Sequence, residues 1–467
     1  MVKKYFLPLA LFFAGIFSAN AQYADIHDFN GTAGSIPQGS LILVGNKLYG
    51  MTYQGGANND GCVFSVDTNG SDYKDILDFA GSNGKYPYFG KLVCSGEVLY
   101  GMTGSGGSNN DGCIFSVDTN GSHYKDLHDF NGTQGKEPQG SLTLYGKLLY
   151  GMTNLGGPNT DGCIFSIDTN GNGYKDLFNF GGNNGSNPDG DLTFSVSGKE
   201  LYGTTTLGGL YGSGCIFSID SNGTNYKDLF DFNDQSNPKG ANPPGAMILS
   251  GARLFGMATN GGVQDYGLIY SIDTNGTNYE DVFEFANTNG GLPQGSLTLS
   301  GTTLYGMATN GSGGNKGCIF SVDSSGKNYK VLLSFSNTSC YYPLGSLTFS
   351  GNMAYGTASQ GGTNNNGTIF RFNYVLAGIN TINIAANTIK LYPNPNNGQF
   401  AMALEGVDKT TLLQVYNVMG QVVYKQLLEP TTDIHTIDLG SQVSGVCLWR
   451  VTENGSLLNE GKIVIEK

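Results

Sequence analysis

Seven glycines, each placed directly after an aromatic residue, recur along this chain at Gly50, Gly101, Gly151, Gly203, Gly256, Gly306 and Gly356. Their spacings are 51, 50, 52, 53, 50 and 50 residues. The surrounding segments are related, and the string Leu-Tyr-Gly-Met-Thr ends at Thr52, Thr103 and Thr153. A unit of this size cannot bury its apolar face alone. Its copies must stack or close on one another, so the repeat limits the fold to solenoids, propellers or arrays.

The third copy serves as a template. Residues 141–144 form a short apolar run, Gly146 a turn, and residues 148–153 a second run. A loop rich in Gly and Asn leads through Asp161 and Gly162 to residues 163–168, and Thr169-Asn170-Gly171 leads to residues 174–180. Short aromatic and β-branched runs separated by Asn-Gly turns are hairpin signals, so each unit reads as a four-stranded antiparallel meander. Seven such units around an axis predict an all-β, seven-bladed β-propeller over residues 22–373. The chain ends offer a closure. Residues 23–29 (YADIHDF) match the fourth run of the second copy at 124–130 (YKDLHDF), while the seventh copy stops after its third run at residues 367–373. The opening strand is thus expected to complete the last sheet, which removes exposed sheet edges. Charges such as Lys74, Asp75, Lys125 and Asp126 fall in the fourth strand, the outermost.

The 467 residues include 73 Gly, and only 13% are charged. With 26 Phe and 27 Tyr at recurring positions, this composition fits a packed β protein better than a disordered one. The net charge of −13 argues against a nucleic-acid partner, which requires a basic stripe. Of eight cysteines, Cys62, Cys113, Cys163, Cys215 and Cys318 share one repeat position, where the other copies carry Leu268 and Thr368. Stacked sheets lie about 10 Å apart, beyond the roughly 7 Å limit for disulfide Cα atoms. These five are expected to fill space as free thiols. Lys3 and Lys4, an apolar run over residues 5–17 and Ala19-Asn20-Ala21 read as a signal peptide spanning 1–21, cleaved between Ala21 and Gln22. That run is shorter than a membrane span, so no transmembrane segment is expected in the mature chain.

Candidate sites are few. Asp67, Asp118, Asp168, Asp220, Asp273 and Asp323 each end a third strand before a turn. They lack the later oxygen ligands of a calcium loop and read as turn caps, so no metal and no cofactor are expected. The loop between second and third strands recurs as Asn58-Asn59-Asp60, Asn109-Asn110-Asp111, Asn159-Thr160-Asp161 and Asn364-Asn365-Asn366. A ring of such amides suits sugar hydroxyls, so Asn58, Asn59, Asn109, Asn110, Asn159, Asn364 and Asn365 are the binding candidates. Asp189 and Asp191 replace the Gln and Ser of a Pro-Gln-Gly-Ser template, and Asp234 and Asp265 lie in neighbouring loops. These four acids are the catalytic candidates, because paired carboxylates can flank a glycosidic bond. The expected role is a non-catalytic interaction module with a polysaccharide or surface-protein partner. The alternative is an extracellular polysaccharide hydrolase or lyase.

The pattern LYG-x-T, GG, G-x-IF-S-x-D and NG-x-x-Y resembles the bacterial GloVer tandem repeat over residues 23–373. Residues 374–389 read as a connector. Residues 390–467 resemble the type A C-terminal sorting domain of the type IX secretion system, through Pro393, Asn394, Pro395, Gly398, Gly420 and Gly445. One departure is Cys447-Leu448-Trp449, where that family commonly carries an aromatic directly after Gly-Val. Apolar alternation over 412–418 and 422–424 independently predicts a small β-sandwich. The resemblance implies the type IX machinery as partner, and a destination outside a Gram-negative cell, secreted or on the outer-membrane surface.

Overall fold

The computed structural model describes residues 23–233, 239–336, 340–374, 388–392, 398–405, 410–416, 422–429, 434–439, 445–453 and 456–465. The expected signal peptide and its Ala21–Gln22 junction, most of the connector, Asp234, Pro393, Asn394, Pro395 and Gly420 lie outside these. The elements named among the described residues are strands, and contacts divide the chain into two compact units, before and after the Gly378–Ile379 junction.

In the first repeat the strands are Ile42–Val44, Lys47–Thr52, Cys62–Asp67 and Lys74–Asp78, paired in that order as an antiparallel sheet. Five further repeats build the same four-stranded sheet. The aromatic–glycine step has a packing cause. A Cβ on Gly50 would sit 2.6 Å from the Phe64 ring, and one on Gly151 would sit 2.5 Å from Phe165. The ring tip of the third-strand aromatic occupies the space a side chain on the second strand would need, and only glycine leaves room for it.

The seventh sheet takes strands from both ends of the unit. Thr348–Ser350, Met353–Ala358 and Thr368–Asn373 are joined by Tyr23–Asp28, with Tyr23 opposite Phe372 and Asp28 opposite Thr368. A register shift between Asp25 and His27 repeats the one found in the other sheets, for example between Val63 and Phe64. Phe29 N donates to Gly367 O at 3.0 Å, as Phe79 N does to Gly61 O at 3.1 Å. The opening strand therefore pairs where the sequence places it.

Consecutive sheets bury one apolar cluster between each pair. Phe29, Leu48, Phe64, Tyr355 and Ile369 join the seventh sheet to the first, and Met307, Phe335 and Phe370 join the sixth to the seventh. His27 stacks on Tyr73 at 3.7 Å, matching the Phe178–Tyr226 and Phe283–Tyr329 stacks of other repeats. The five cysteines of the shared position are fully buried and all eight are free. Leu268 and Thr368 fill the same buried site.

At the inner edge, seven glycines touch in sequence. A Cβ on Gly39 would meet Gly90 O at 2.1 Å. The same relation links Gly90 to Gly140, Gly140 to Gly190, Gly190 to Gly245, Gly245 to Gly295, Gly295 to Gly345, and Gly345 back to Gly39. The last of these contacts returns to the first glycine of the series. A side chain here must push backbone aside, so Gly39→Val is expected to destabilise the unit by about 1–3 kcal/mol or more through overpacking. Gly96→Asn, at φ +62 with nothing within 4 Å of its Cβ, is the neutral control. Differential scanning calorimetry of the two variants checks this.

The C-terminal unit holds two antiparallel sheets. Gln399–Glu405 lies between Thr388–Tyr392 and Ile434–Asp438 in one; the other runs Val422–Leu428, Thr411–Tyr416, Gly445–Glu453, Ser456–Ile465. Phe400, Met402 and Ile437 of the first share a core with Leu413, Val415, Trp449, Val451 and Ile463 of the second. Strand alternation explains the Cys447-Leu448-Trp449 departure. Cys447 and Trp449 point into the core and Leu448 is exposed. Trp449 packs over Gly461, where a Cβ would lie 2.8 Å from the indole nitrogen.

Candidate functional site

Each inner strand is preceded by its axial glycine, and the next residue lines the axis: Ser40, Lys91, Ser141, Asp191, Ala246, Ser296 and Ser346. Where serine stands, its hydroxyl accepts from the backbone of the preceding repeat. Lys91 N donates to Ser141 Oγ at 2.8 Å, Ala246 N to Ser296 Oγ at 2.9 Å, Ser296 N to Ser346 Oγ at 2.8 Å and Ser346 N to Ser40 Oγ at 2.8 Å. Asp191 Oδ1 takes the serine's part for Ser141 N at 2.6 Å. Lys91 and Ala246 have no side-chain acceptor to offer.

Lys91 and Asp191 meet. The ammonium lies 3.3 Å from Asp191 Oδ2, with side-chain exposures of 41% and 14%. They stand two repeats apart, and Ser141 lies between them. On one side the axis is a constriction of about 30 Å³ among the glycine ring, Phe89, Asp189 and Asp191. On the other it widens into a cavity of about 840 Å³. The walls of this funnel come from the inner strands and include Ile42, Leu43, Val44, Val93, Leu144 and Leu249. Among the described residues, Lys91 and Asp191 are its only charged lining groups. Within its lining Tyr145 stacks on Phe194 at 4.7 Å. Beside them, the hairpin of the fourth repeat is two residues longer than in the third and leaves Val196 91% exposed.

Of the four acids singled out in the sequence, the constriction brings Asp189 and Asp191 together. Asp189 accepts from Asn154 Nδ2, and burial pushes its carboxyl up to about 6. Asp265 is not part of this lining. It sits in a loop at φ +57, its Oδ1 accepting from Gly261 N at 2.8 Å, the turn geometry of Asn59, Asn315 and Asn365.

The loop asparagines are engaged with the backbone. Asn58, Asn109, Asn159 and Asn364 donate Nδ2–H to the carbonyls of Phe79, Phe130, Phe180 and Phe29 at 2.8–3.2 Å. Asn59 and Asn365 accept from Gly55 N and Gly361 N, and Asn110 lies at φ +61. The third-strand aspartates do cap turns. Ser71 Oγ donates to Asp67 Oδ2 at 3.0 Å, and Lys47 pairs with Asp67 at 2.8 Å. Among the described residues no group of three or more His, Cys, Asp or Glu is placed to hold a metal ion. In the C-terminal unit Gly398 adopts φ +101 and accepts from Leu439 N at 2.6 Å, while Gly445 opens the strand paired to Ser456–Ile465.

Two family models match this chain. The Gloeobacter/Verrucomicrobia repeat covers residues 15–199 and 194–370, well over half of it. The chain belongs to the Gloeobacter/Verrucomicrobia repeat family. The secretion system C-terminal sorting domain matches residues 390–466 of this repeat protein, which marks it for export to the cell surface or beyond in Bacteroidetes-type Gram-negative bacteria. No curated protein matches it. Among solved structures, the repeat protein is similar to a puromycin-hydrolyzing peptidase of Mycobacterium tuberculosis (TM-score 0.50, 10% identity, 80% of this chain and 59% of that one). It is also similar to a puromycin hydrolase (TM-score 0.51, 8% identity, 81% and 60%). It spans less than two thirds of either, and the likeness speaks to fold alone. An oligogalacturonate lyase of Vibrio parahaemolyticus follows at TM-score 0.47 and 11% identity, over 76% of this chain and 94% of that one.

Proposed function

We propose that this member of the repeat family is a seven-bladed β-propeller followed by a β-sandwich sorting domain. In this reading residues 1–21 direct inner-membrane export, the type IX machinery carries the chain across the outer membrane, and the propeller acts outside as a non-catalytic binding module. The ligand enters the axial funnel. One observation carries this: the two charged departures from the axial serine template, Lys91 and Asp191, pair with each other at the funnel floor. Lysine and Ala246 leave two backbone groups without the serine acceptor used elsewhere in the ring, each such hydrogen bond being worth about 0.5–1.5 kcal/mol. A repeat that breaks its own rule at matched positions is shaped there by function. The cavity volume falls in the range of small-ligand sites, about 300–1,000 Å³.

The test is thermal stabilisation of the whole mature protein by a panel of soluble polysaccharides, peptides and amphiphiles. At least one member is expected to raise the melting temperature, and Leu249→Trp, which fills the funnel, is expected to abolish the rise. A panel with no stabilising member, or one insensitive to Leu249→Trp, refutes axial binding.

The second reading, a polysaccharide hydrolase or lyase, is favoured by Asp189. A carboxyl pushed up to about 6 stays protonated in mild acid, as a general acid must. It requires that reducing ends or unsaturated products appear from a polysaccharide, and that Asp189→Asn lowers their rate about a hundredfold or more.

A further inference from the structure

Building on axial binding, we infer that the funnel takes an amphiphile with an apolar body and one anionic head, the head held by Lys91. The walls decide the body. Ile42, Leu43, Val44, Val93, Leu144 and Leu249 give aliphatic surface without hydrogen-bonding groups. Two hydroxyls of the lining, Thr143 and Thr193, already donate to Leu192 O at 2.7 Å and Met247 O at 2.6 Å in neighbouring repeats. A sugar entering here loses water from many hydroxyls and finds few partners, which disfavours it. An alkyl chain loses only unfavourable hydration. Tyr145 and Phe194, stacked at 4.7 Å, add aromatic surface to the same lining.

The floor decides the sign of the head. Both Asp191 oxygens are engaged, one by Ser141 N at 2.6 Å and one by Lys91, and the side chain is mostly covered. The Lys91 ammonium is the more open member, has three N–H donors, and has one acceptor, at 3.3 Å. That contact is longer than the roughly 2.7–2.9 Å of a good charge-assisted bond. The other two donors have no partner among the described residues. A carboxylate or phosphate at the base of an apolar chain satisfies them and displaces little.

The repeat supplies fold-safe variants, because Lys91→Ser and Asp191→Ser each restore the template residue. Isothermal titration calorimetry of the whole mature protein with dodecanoate, below its aggregation concentration, is expected to show saturable binding. Dodecyl phosphate is expected to bind alike, and dodecanol and dodecyltrimethylammonium about tenfold more weakly or worse. Lys91→Ser is expected to weaken dodecanoate about tenfold and leave dodecanol unchanged, whereas Asp191→Ser keeps or tightens dodecanoate binding. The inference is overturned by no saturable binding, by dodecanol or the cationic chain binding as tightly as dodecanoate, or by an unaffected Lys91→Ser protein. If a polysaccharide or apolar peptide stabilises the protein in a Leu249-dependent way while dodecanoate does not bind, axial binding stands and the amphiphile falls. If nothing enters the funnel, both fall.

Discussion

A chain lacking residues 23–29 is expected to lose the cooperative thermal transition of the repeat unit. Strand Tyr23–Asp28 supplies the fourth strand of the seventh sheet, and without it the edge Thr368–Asn373 lies bare. Phe29, fully buried with Phe64 and Ile369 in the cluster joining the first and seventh sheets, leaves with it. Tyr23, stacked on Phe370 at 5.9 Å, and His27, stacked on Tyr73, go as well. Emptying the Phe29 site alone is worth about 3–5 kcal/mol. Adding the lost ladder brings the total to the 5–15 kcal/mol by which a typical domain is stable. Phe29→Ala should therefore lower the melting temperature by itself, and the truncation should remove the transition. A synthetic peptide of residues 23–29 added in trans is expected to restore part of it, since the vacated edge is an ordered template for one strand. Calorimetry and far-UV circular dichroism decide the matter. A truncated protein melting like the full chain would show that this strand does not hold the seventh sheet together.

Much of that fold was legible in the sequence because its causes are local and recur seven times. The aromatic–glycine step, the Asn-Gly turns and the offset between chain ends each follow from rules acting over a few residues. Even two irregular spacings have a structural meaning. The interval of 51 reflects an extra residue between Pro87 and Gly90, and that of 52 the longer hairpin around Val196. The site was less legible. Asp191 stands out as a departure from serine, but its partner Lys91 lies 100 positions away in sequence, and only the packing of successive repeats brings the two within 3.3 Å. The loop amides pose the opposite problem. Asn58 and Asn109 look free to bind sugars, and sequence cannot show that their amides hold the Phe79 and Phe130 carbonyls. The funnel is invisible to a linear reading, since inner-strand residues such as Leu43 and Leu249 look like ordinary core.

The repeat unit is expected to be most stable in mild acid and to weaken as pH rises from about 5 to 8. The fourth strand of several repeats carries two acids three residues apart: Asp75 and Asp78, Asp126 and Asp129, Asp228 and Asp231. The third repeat explains the pair, having Asn179 in the second place, with Nδ2 donating to Asp176 Oδ2 at 2.8 Å. Where both members are acids, that bridge requires a shared proton. Burial and the neighbouring Asp78 push Asp75 up to about 7, and burial and their partners push Asp126 and Asp228 up to about 6. A carboxyl raised in the folded state gives stability that is complete below its unfolded value of 3.8 and lost as pH rises through 6–7. Asp67, Asp72, Asp118 and Asp273 are shifted down by hydrogen bonds from Lys47, Lys47, His123 and Asn278, and act oppositely, losing their contribution as pH falls below 3.8. Burial shifts His27 and His128 down, so their contribution is lost as pH falls through 6.5 and they oppose the acid pairs there. The raised carboxyls outweigh these two, which places the optimum on the acid side of neutrality and above 3.8. Asp126 and Asp228 are open to water, so each pair counts for about 1 kcal/mol after screening rather than the full shift. Asp78→Asn is the decisive variant. Its amide can donate to Asp75 as Asn179 does to Asp176, while its oxygen still accepts from Ala57 N, which bonds Asp78 at 2.7 Å. The third repeat has Pro158 in place of Ala57 and no such N–H, and Asn179 Oδ1 is unpartnered there. The variant should gain about 1 kcal/mol at pH 8 and nothing at pH 5, flattening the pH profile of the melting temperature. An equal change at both pH values, or a wild-type profile that climbs from pH 5 to 8, rules out the shared proton.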